Sequence, residues 1–215
     1  MYRTFCLLQG MVMVEDVATT TEPAERQQST RRGKPTPAQR LLDTATDLFS
    51  RYGIRAVGID RVLAEAGVAR ASLYQSYGSK DALVQAYLEH LDRRDRSRWD
   101  EAVAAVREPV DKVLMFFDLA LASAPTKGFR GCQYANAATE FPDQALEPVV
   151  AHRRWMLDTL TTLLRECGSA DPEELAARLQ LVYDGALSGS KFAHSLEPLR
   201  TGRGLAAQLI AQSLR

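Results

Sequence analysis

The fold of this chain follows from the segment IDRVLAEAGVARASLYQS, residues 59–76. Its apolar residues recur at the spacing expected of two short helices: Ile59, Val62, Leu63, Val68 and Leu73. Gly67 stands between them, where two steeply crossing helices need a tight turn with left-handed backbone. The segment therefore predicts a helix-turn-helix whose apolar side packs on a neighbouring helix. A plain helical hairpin has the same pattern, so the spacing alone leaves both open.

The preceding residues supply that neighbouring helix. TPAQ, residues 36–39, is a capping box with proline at the first helical position. Apolar residues then follow at helical spacing: Leu41, Ala45, Leu48, Phe49 and Tyr52. Gly53 is placed to end the helix.

Helical spacing continues to the C-terminus, interrupted by a loop over residues 125–131. We expect further helices over these ranges: 79–105, from 109 to the loop, 132–140, 145–167, 171–196 and 203–214. No segment shows the alternation of a strand, and no internal repeat is present. The sequence therefore predicts an all-α chain.

The charge is unevenly distributed, although the 27 Lys and Arg balance the 27 Asp and Glu. Residues 31–80 hold nine basic side chains against four acidic ones, whereas residues 1–30 and 81–215 are net acidic. A basic segment beside an acidic remainder favours attraction to phosphates, and a chance cluster of surface charge explains the count equally well. The outer side of the second short helix adds side chains able to bond base edges and phosphates: Arg70, Ser72, Gln75 and Ser76.

Three runs resemble the DNA-binding region of the TetR (tetracycline-repressor-like) family of transcriptional regulators. They are AQRLLDTA continuing through LFSRYG, IDRVLAEAGV, and SLYQSYGSKDAL. The likeness covers residues 37–88 and is specific in order and spacing. It implies an N-terminal three-helix helix-turn-helix DNA-binding domain over residues 36–80. A helical ligand-binding and dimerisation domain would follow over residues 81–215.

The resemblance also implies roles for single residues. The side chains that would face the major groove or its phosphates are Arg70, Ala71, Ser72, Tyr74, Gln75 and Ser76. Lys80 would meet the DNA backbone at a helix N-terminus, and Tyr77 matches a buried aromatic position. Gly58 and Ala69 depart from the family pattern, which often has a hydroxyl residue there that caps a helix and contacts phosphate. These two phosphate contacts are therefore in doubt.

Residues 1–35 are predicted to be a disordered leader, since residues 15–35 are rich in Thr, Glu, Gln, Ser and Pro without apolar periodicity. Arg31, Arg32 and Lys34 stand at its end. They are placed either to reach an adjacent minor groove or backbone, or merely to raise the local charge.

A seam of apolar and small residues runs along the penultimate predicted helix. Its members are Leu175, Leu179, Val182, Ala186, Gly189, Ala193 and Leu196. Such a seam lets a second helix approach closely, whether from the same chain or from another. The resemblance implies a homodimer in which the last two helices of each subunit pair as a four-helix bundle.

Several large side chains of the C-terminal half could line an apolar ligand cavity or form plain core: Phe116, Phe117, Tyr134, Trp155, Met156 and Tyr183. Cys132, Asn136 and Glu140 are four apart on one helix face. Asn136 is included in the predicted ligand site, and the alternative is that this polar stripe holds the helix against its neighbours. With no evident cluster of buried Lys or Arg, we expect an uncharged or cationic apolar ligand.

Other functional classes are poorly supported. The cysteines are odd in number and widely spaced, which argues against a disulfide framework and favours a reducing compartment. A metal site from Cys132, Glu140 and His152 is disfavoured because the other candidate ligands are scattered. No nucleophile motif or phosphate-binding loop is present, so we predict no cofactor, no metal and no catalysis. No apolar run reaches the roughly 18 residues that span a bilayer, so no membrane partner is expected.

Together these observations predict a cytoplasmic, homodimeric transcriptional regulator. It would be a repressor that a small apolar molecule releases from double-stranded operator DNA. The main alternative class is an all-α enzyme with a site assembled in space. A second alternative is an activator or chromosome-organising protein with the same DNA-binding end and no ligand.

Overall fold

The computed structural model describes residues 34–214, and the regular structure of that range is helical throughout. The helices are α1 (Pro37–Tyr52), α2 (Ile59–Ala66), α3 (Arg70–Ser76), α4 (Lys80–Val103), α5 (Pro109–Ser123), α6 (Gln133–Glu140), α7 (Glu147–Glu166), α8 (Pro172–Ala193) and α9 (Glu197–Ser213). No strand occurs among these residues, and the all-α prediction is confirmed. None of the described helices has the length and apolarity needed to cross a bilayer. The predicted leader, with Arg31 and Arg32, lies outside the described residues except for its last two positions.

The signals that predicted α1 operate as expected. The Thr36 hydroxyl accepts a hydrogen bond from the amide of Gln39 at 3.2 Å, and Pro37 occupies the first helical position. Gly53, with φ of 92°, follows the last residue of the helix and donates its amide to the Phe49 carbonyl at 2.9 Å. The helix therefore has a fixed start and a fixed end, and its apolar side is held toward the core.

Helices α2 and α3 pack on α1 as the deciding segment predicts. Gly67 joins them with φ of 61° and ψ of 44°, the left-handed conformation that the tight turn requires. Val62 and Leu73 are almost completely buried and share one cluster with Leu48 of α1. The helix-turn-helix is thus fixed on its inner side by apolar packing, which leaves the outer side of α3 free.

Two hydrophobic clusters divide the described chain. One joins α1–α3 with the first half of α4, with Tyr134 and Ala137 of α6, and with Val149 at the start of α7. The other joins α5, the rest of α7, α8 and α9. Helix α6 therefore packs with the helix-turn-helix although it lies far beyond residue 80 in sequence.

The last helix begins earlier than predicted. Helix α9 starts at Glu197 with Pro198 in its first turn, whereas the sequence analysis placed its start near residue 203. The predicted start was wrong, since Gly202 lies inside the helix and is buried. A Cβ at Gly202 would lie 2.6 Å from the Cβ of Ala186 on α8, so this glycine allows the two helices to pack closely.

The seam predicted on α8 packs inside the chain. Leu175, Leu179 and Ala186 are buried among the described residues, and Gly189 faces Pro198 of α9. The large apolar side chains exposed on α8 belong to another face. These are Leu181, 73 % exposed, and Phe192, 84 % exposed.

The N-caps of α2 and α3 show the consequence of the two departures from the family pattern. Gly58 and Ala69 have extended backbone suited to a cap, and neither supplies a side-chain hydrogen bond.

We predict that Ala69→Ser raises the free energy of unfolding by about 1 kcal/mol, because the serine oxygen would accept a hydrogen bond from an unpaired amide in the first turn of α3. Urea denaturation of this variant and of Ala177→Ser, at an exposed interior position of α8, tests this. The free energy of unfolding of Ala177→Ser should fall slightly, since serine in a helix interior is slightly unfavourable. An Ala69→Ser shift equal to that of Ala177→Ser, or any lowering of the free energy of unfolding by Ala69→Ser, would contradict the prediction.

Candidate nucleic-acid interface and internal cavity

The outer side of α3 presents the predicted DNA-contacting side chains to solvent. Leu73 is 1 % exposed and anchors the inner side of the helix, whereas Tyr74 on the other side is 55 % exposed. The exposed or partly exposed residues are Arg70, Ala71, Ser72, Tyr74, Gln75 and Ser76. Their donors and acceptors lie on a short, rigidly held helix, which is the arrangement that base readout in a major groove uses.

Arg70 is held by a partner that the sequence analysis missed. Its guanidinium forms an ion pair with Asp60 of α2. A hydrogen bond with Tyr74 and the charge of Asp60 raise the pKa of Arg70 above its ordinary value, so the group is a permanent cation. Arg70 therefore reaches DNA only by exchanging or sharing this carboxylate.

Lys80 and Tyr77 support the frame of the interface. The Lys80 ammonium donates to the carbonyl of Ile54 at 3.0 Å, and its position at the first turn of α4 leaves further N–H groups for a phosphate. Tyr77 is half-buried against the core and donates its hydroxyl to the Ala38 carbonyl at 2.8 Å. Burial raises the pKa of Tyr77, so the phenol stays neutral. Lys34 is exposed ahead of α1.

A cavity of about 110 Å³ lies between α4, α5, α7, α8 and the loop that precedes α6. Five of the candidate lining residues named from the sequence line it: Phe116, Tyr134, Trp155, Met156 and Tyr183. Trp99 also lines it. The volume is below the roughly 300–1,000 Å³ of pockets for drug-sized ligands, so this cavity suits a small molecule.

The aromatic rings around the cavity contact one another. Trp99 stacks on Phe116 with centroids 5.4 Å apart, and Trp155 meets both rings edge-on at 6.0 and 5.8 Å. Tyr183 lies edge-on to Phe116 at 6.5 Å. Such contacts fix the rings, so the apolar wall of the cavity is largely preformed.

Two predicted ligand-site residues lie outside the cavity wall. Phe117 is turned into the core beside α8, where it meets Tyr183 edge-on at 5.3 Å. Asn136 donates to the Arg130 carbonyl at 3.0 Å and accepts from the Lys191 ammonium at 3.0 Å. The alternative interpretation of the polar stripe describes Asn136 better, because both ends of its amide hold α6 against neighbouring segments.

The polar groups at one side of the cavity form a connected network. Tyr134 donates its hydroxyl to Asp95 at 3.1 Å, and its ring stacks on His152 at 3.8 Å. The Nδ1 of His152 lies 2.9 Å from Asp92, which also pairs with Arg96. Burial lowers the pKa of His152, so at neutral pH its imidazole is uncharged and donates from Nδ1 to the carboxylate.

The metal hypothesis receives no support from the described residues. Within them, no three His, Cys, Asp or Glu side chains converge as a metal site would need. Two of the candidate metal ligands have other partners. His152 bonds Asp92, and Glu140 accepts the backbone amides of Ile54 and Arg55. Burial raises the pKa of the Cys132 thiol, which keeps it protonated.

Comparison with known proteins agrees with this geometry. The family model "Bacterial regulatory proteins, tetR family" matches residues 41–87. The crystal structure of SCO4454, a TetR-family transcriptional regulator from Streptomyces coelicolor, has 34% sequence identity and a TM-score of 0.77. The likeness covers 83% of this chain and 97% of that one.

This chain belongs to the TetR family.

Two curated relatives of this TetR-family protein carry names of regulators. Transcriptional regulator AcuR from Cereibacter sphaeroides is 26% identical over 85% of this chain and 92% of its own length. The HTH-type transcriptional repressor Rv3405c from Mycobacterium tuberculosis is 36% identical, but the match covers only 34% of this chain and 38% of that protein. The protein is a DNA-binding transcriptional regulator, as predicted, and its family is not one of enzymes. Regulators of this family bind operator DNA and act as dimers.

In this TetR-family chain, α6 connects the cavity to the helix-turn-helix. At its N-terminal end, Cys132 and Tyr134 line the cavity. At its C-terminal end, the Glu140 carboxylate accepts the amides of Ile54 at 3.1 Å and Arg55 at 2.6 Å, in the loop between α1 and α2. Sequence spacing did not reveal this role of Glu140, because its partners lie some 85 positions away.

Glu140→Gln tests the importance of this contact. We predict a loss of about 1–2 kcal/mol in the free energy of unfolding, because a carboxylate that accepts two amides is replaced by a group with one acceptor oxygen. Glu166→Gln, at an exposed position of α7, is the matched control and should change little. Equal denaturation midpoints for the two variants would show that the Glu140 contact contributes nothing.

Proposed function

We propose that this protein is a repressor that leaves its operator when a small molecule enters the cavity of its C-terminal half. The observation that carries the proposal is the position of α6, which borders the cavity at one end and bonds the α1–α2 loop at the other. The relative Rv3405c, which matches the DNA-binding end, is named a transcriptional repressor, and this supports repression rather than activation. The proposed location is the cytoplasm, where such a regulator meets its operator.

The DNA contacts are proposed to come from the exposed side of α3. Arg70 and Gln75 have the donors and acceptors that read base edges, and Tyr74, Ser72, Ser76 and Ala71 complete the surface that enters the groove. The Lys80 ammonium, already bonded to Ile54, would add a phosphate contact through its remaining N–H groups. Asp60 would then serve to orient Arg70 before DNA arrives.

The homodimer is proposed to form through the exposed faces of α8 and α9. Leu181, Gly185, Ser188 and Phe192 follow one another at steps of four, three and four along α8, and all are exposed. Leu205 is exposed on α9. Solvent-facing leucine and phenylalanine in one stripe mark an interaction surface. This face replaces the seam predicted from sequence, which is used inside the chain.

Release follows from linkage between two binding equilibria. A dimer reads two successive major grooves when its recognition helices lie about 34–36 Å apart. A ligand that binds more tightly to a conformer with another separation weakens operator binding, and operator weakens the ligand by the same factor. Both α4, which runs from the DNA-binding half past the cavity, and α6 would transmit the change.

An activator or chromosome-organising role is the second candidate for this DNA-binding end. A cavity lined by aromatic rings favours a ligand-responsive regulator over an organiser. Footprinting separates them, because a regulator protects a short palindrome and an organiser gives diffuse coverage.

Arg70→Ala tests the recognition helix. We predict that it weakens operator binding by about 1–3 kcal/mol and relaxes specificity at one base pair, since a bidentate arginine contact would be lost. The measurement is a gel-shift titration at fixed salt, with Arg165→Ala on α7 as an exposed control that also forms an ion pair with a glutamate. Operator affinity equal to wild type for Arg70→Ala would refute this placement of the DNA contacts.

A charge on the exposed stripe of α8 tests the dimer. We predict that Phe192→Glu combined with Leu181→Glu gives monomers in sedimentation velocity, because like charges would face each other across the two-fold axis. Val150→Glu is the control, since Val150 is 38 % exposed on α7. A doubly substituted protein that sediments as a dimer would place the interface elsewhere.

A further inference from the structure

Two buried N–H groups beside the cavity have no partner in the described chain. They are the Nε of Arg130 and the indole Nε1 of Trp99, and both residues line the cavity. A buried donor left without an acceptor costs free energy comparable to a lost hydrogen bond, and more for a charged group. Two such donors on one cavity wall indicate an acceptor that the cavity is built to receive.

The cavity also carries uncompensated positive charge. Arg98, Lys127 and Arg130 line it, and within residues 34–214 none of them forms an ion pair. Asp95 is an acidic side chain of the lining, and its two oxygens accept from Tyr134 and Arg94. This carboxylate is therefore already occupied, and the wall as a whole is cationic.

The charge of Asp95 acts on Lys127 at a distance, but no carboxylate of the described residues forms an ion pair with any of the three cations. The second carboxylate of the network, Asp92, pairs with Arg96 and bonds His152. The Arg98 guanidinium bonds only the Leu119 carbonyl, at 3.4 Å. The apolar part of the wall includes the contacting rings of Trp99, Phe116 and Trp155.

We infer that the effector of this regulator is a small organic carboxylate with an aromatic or other flat apolar body. Its carboxylate accepts from the orphan N–H groups of Arg130 and Trp99 in the field of Arg98 and Lys127. The apolar body of the ligand occupies the cavity beside the rings of Trp99, Phe116 and Trp155. This inference rests on the proposed function, because it names the chemical class of the molecule that enters the same cavity.

The inferred ligand is an anion, whereas the sequence led us to expect an uncharged or cationic apolar ligand. That expectation depended on the lack of an evident cluster of Lys and Arg in the sequence, whereas the three cations of this wall come from two segments about 30 residues apart, α4 and the loop before α6. No sequence window shows them as a cluster.

Binding to the full chain without DNA tests the inference. Isothermal titration calorimetry would compare benzoate, phenylacetate and hexanoate with their neutral amides, and with benzylamine as a cation. We expect at least one acid to bind at least tenfold more tightly than its amide. The inference would be overturned if the amides or the amine bound with the same affinity as the acids, or if none of the three acids bound.

The variant that tests the site is Arg130→Met, with Arg107→Met at an exposed position outside the cavity as the matched control. Arg130→Met should remove most of the preference for acid over amide, whereas Arg107→Met keeps it. The thermal midpoint of Arg130→Met without ligand should be at least that of wild type, because a buried N–H group without an acceptor is removed. Retained preference in a folded Arg130→Met protein would overturn the assignment.

A gel shift separates this inference from the proposed function. If the tightest acid binds the protein but leaves the operator complex intact, the carboxylate site stands and ligand-induced release is wrong. If a neutral molecule releases operator and no acid binds, ligand-induced release stands and the carboxylate site is wrong.

Discussion

The contact between the Glu140 carboxylate and the amides of Ile54 and Arg55 joins the two functional parts of this molecule. The loop that receives it follows Gly53, whose left-handed backbone ends α1 close to the carboxylate. Lys80 holds the same loop from the other side through the Ile54 carbonyl. The helix-turn-helix is therefore positioned by charged groups on α4 and α6, the two helices that also border the cavity. A shift of α6 cannot leave this loop unaffected without breaking two hydrogen bonds.

The energetics of the two sites are opposite in kind. On the proposed DNA-contacting side, Arg70 is already paired with Asp60 and would exchange or share that partner when DNA binds. The cavity is unsatisfied before its ligand arrives, since Arg130 and Trp99 each keep a buried N–H without an acceptor. The first arrangement favours discrimination, because only a good acceptor displaces a carboxylate. The second favours affinity, because any fitting anion relieves a desolvation cost already present in the fold.

Local signals in the sequence predicted the DNA-binding half because its determinants are close together in the chain. A capping threonine at residue 36, a turn glycine at residue 67 and one buried leucine at residue 73 are enough to place α1–α3. The cavity depended on residues from distant segments. Four of the candidate aromatic residues line the cavity, and their contact with a ligand stays a prediction. Spacing did not separate Phe117 and Asn136 from them. Three features depend on contacts over long sequence separations. They are the cations of the cavity wall, the contact of Glu140 with the amides of Ile54 and Arg55, and the packing of the α8 seam inside the chain.

Hydrogen exchange at the amides of Ile54 and Arg55 tests the central claim most directly, because these two protons report the Glu140 contact itself. Exchange would be measured on the full-length protein alone and with the acid that binds it most tightly. Faster exchange at both amides with ligand, while buried amides of α1 stay protected, is the result predicted for a ligand that acts through α6. Unchanged exchange at both amides, under conditions where the same ligand dissociates the operator complex, would contradict it.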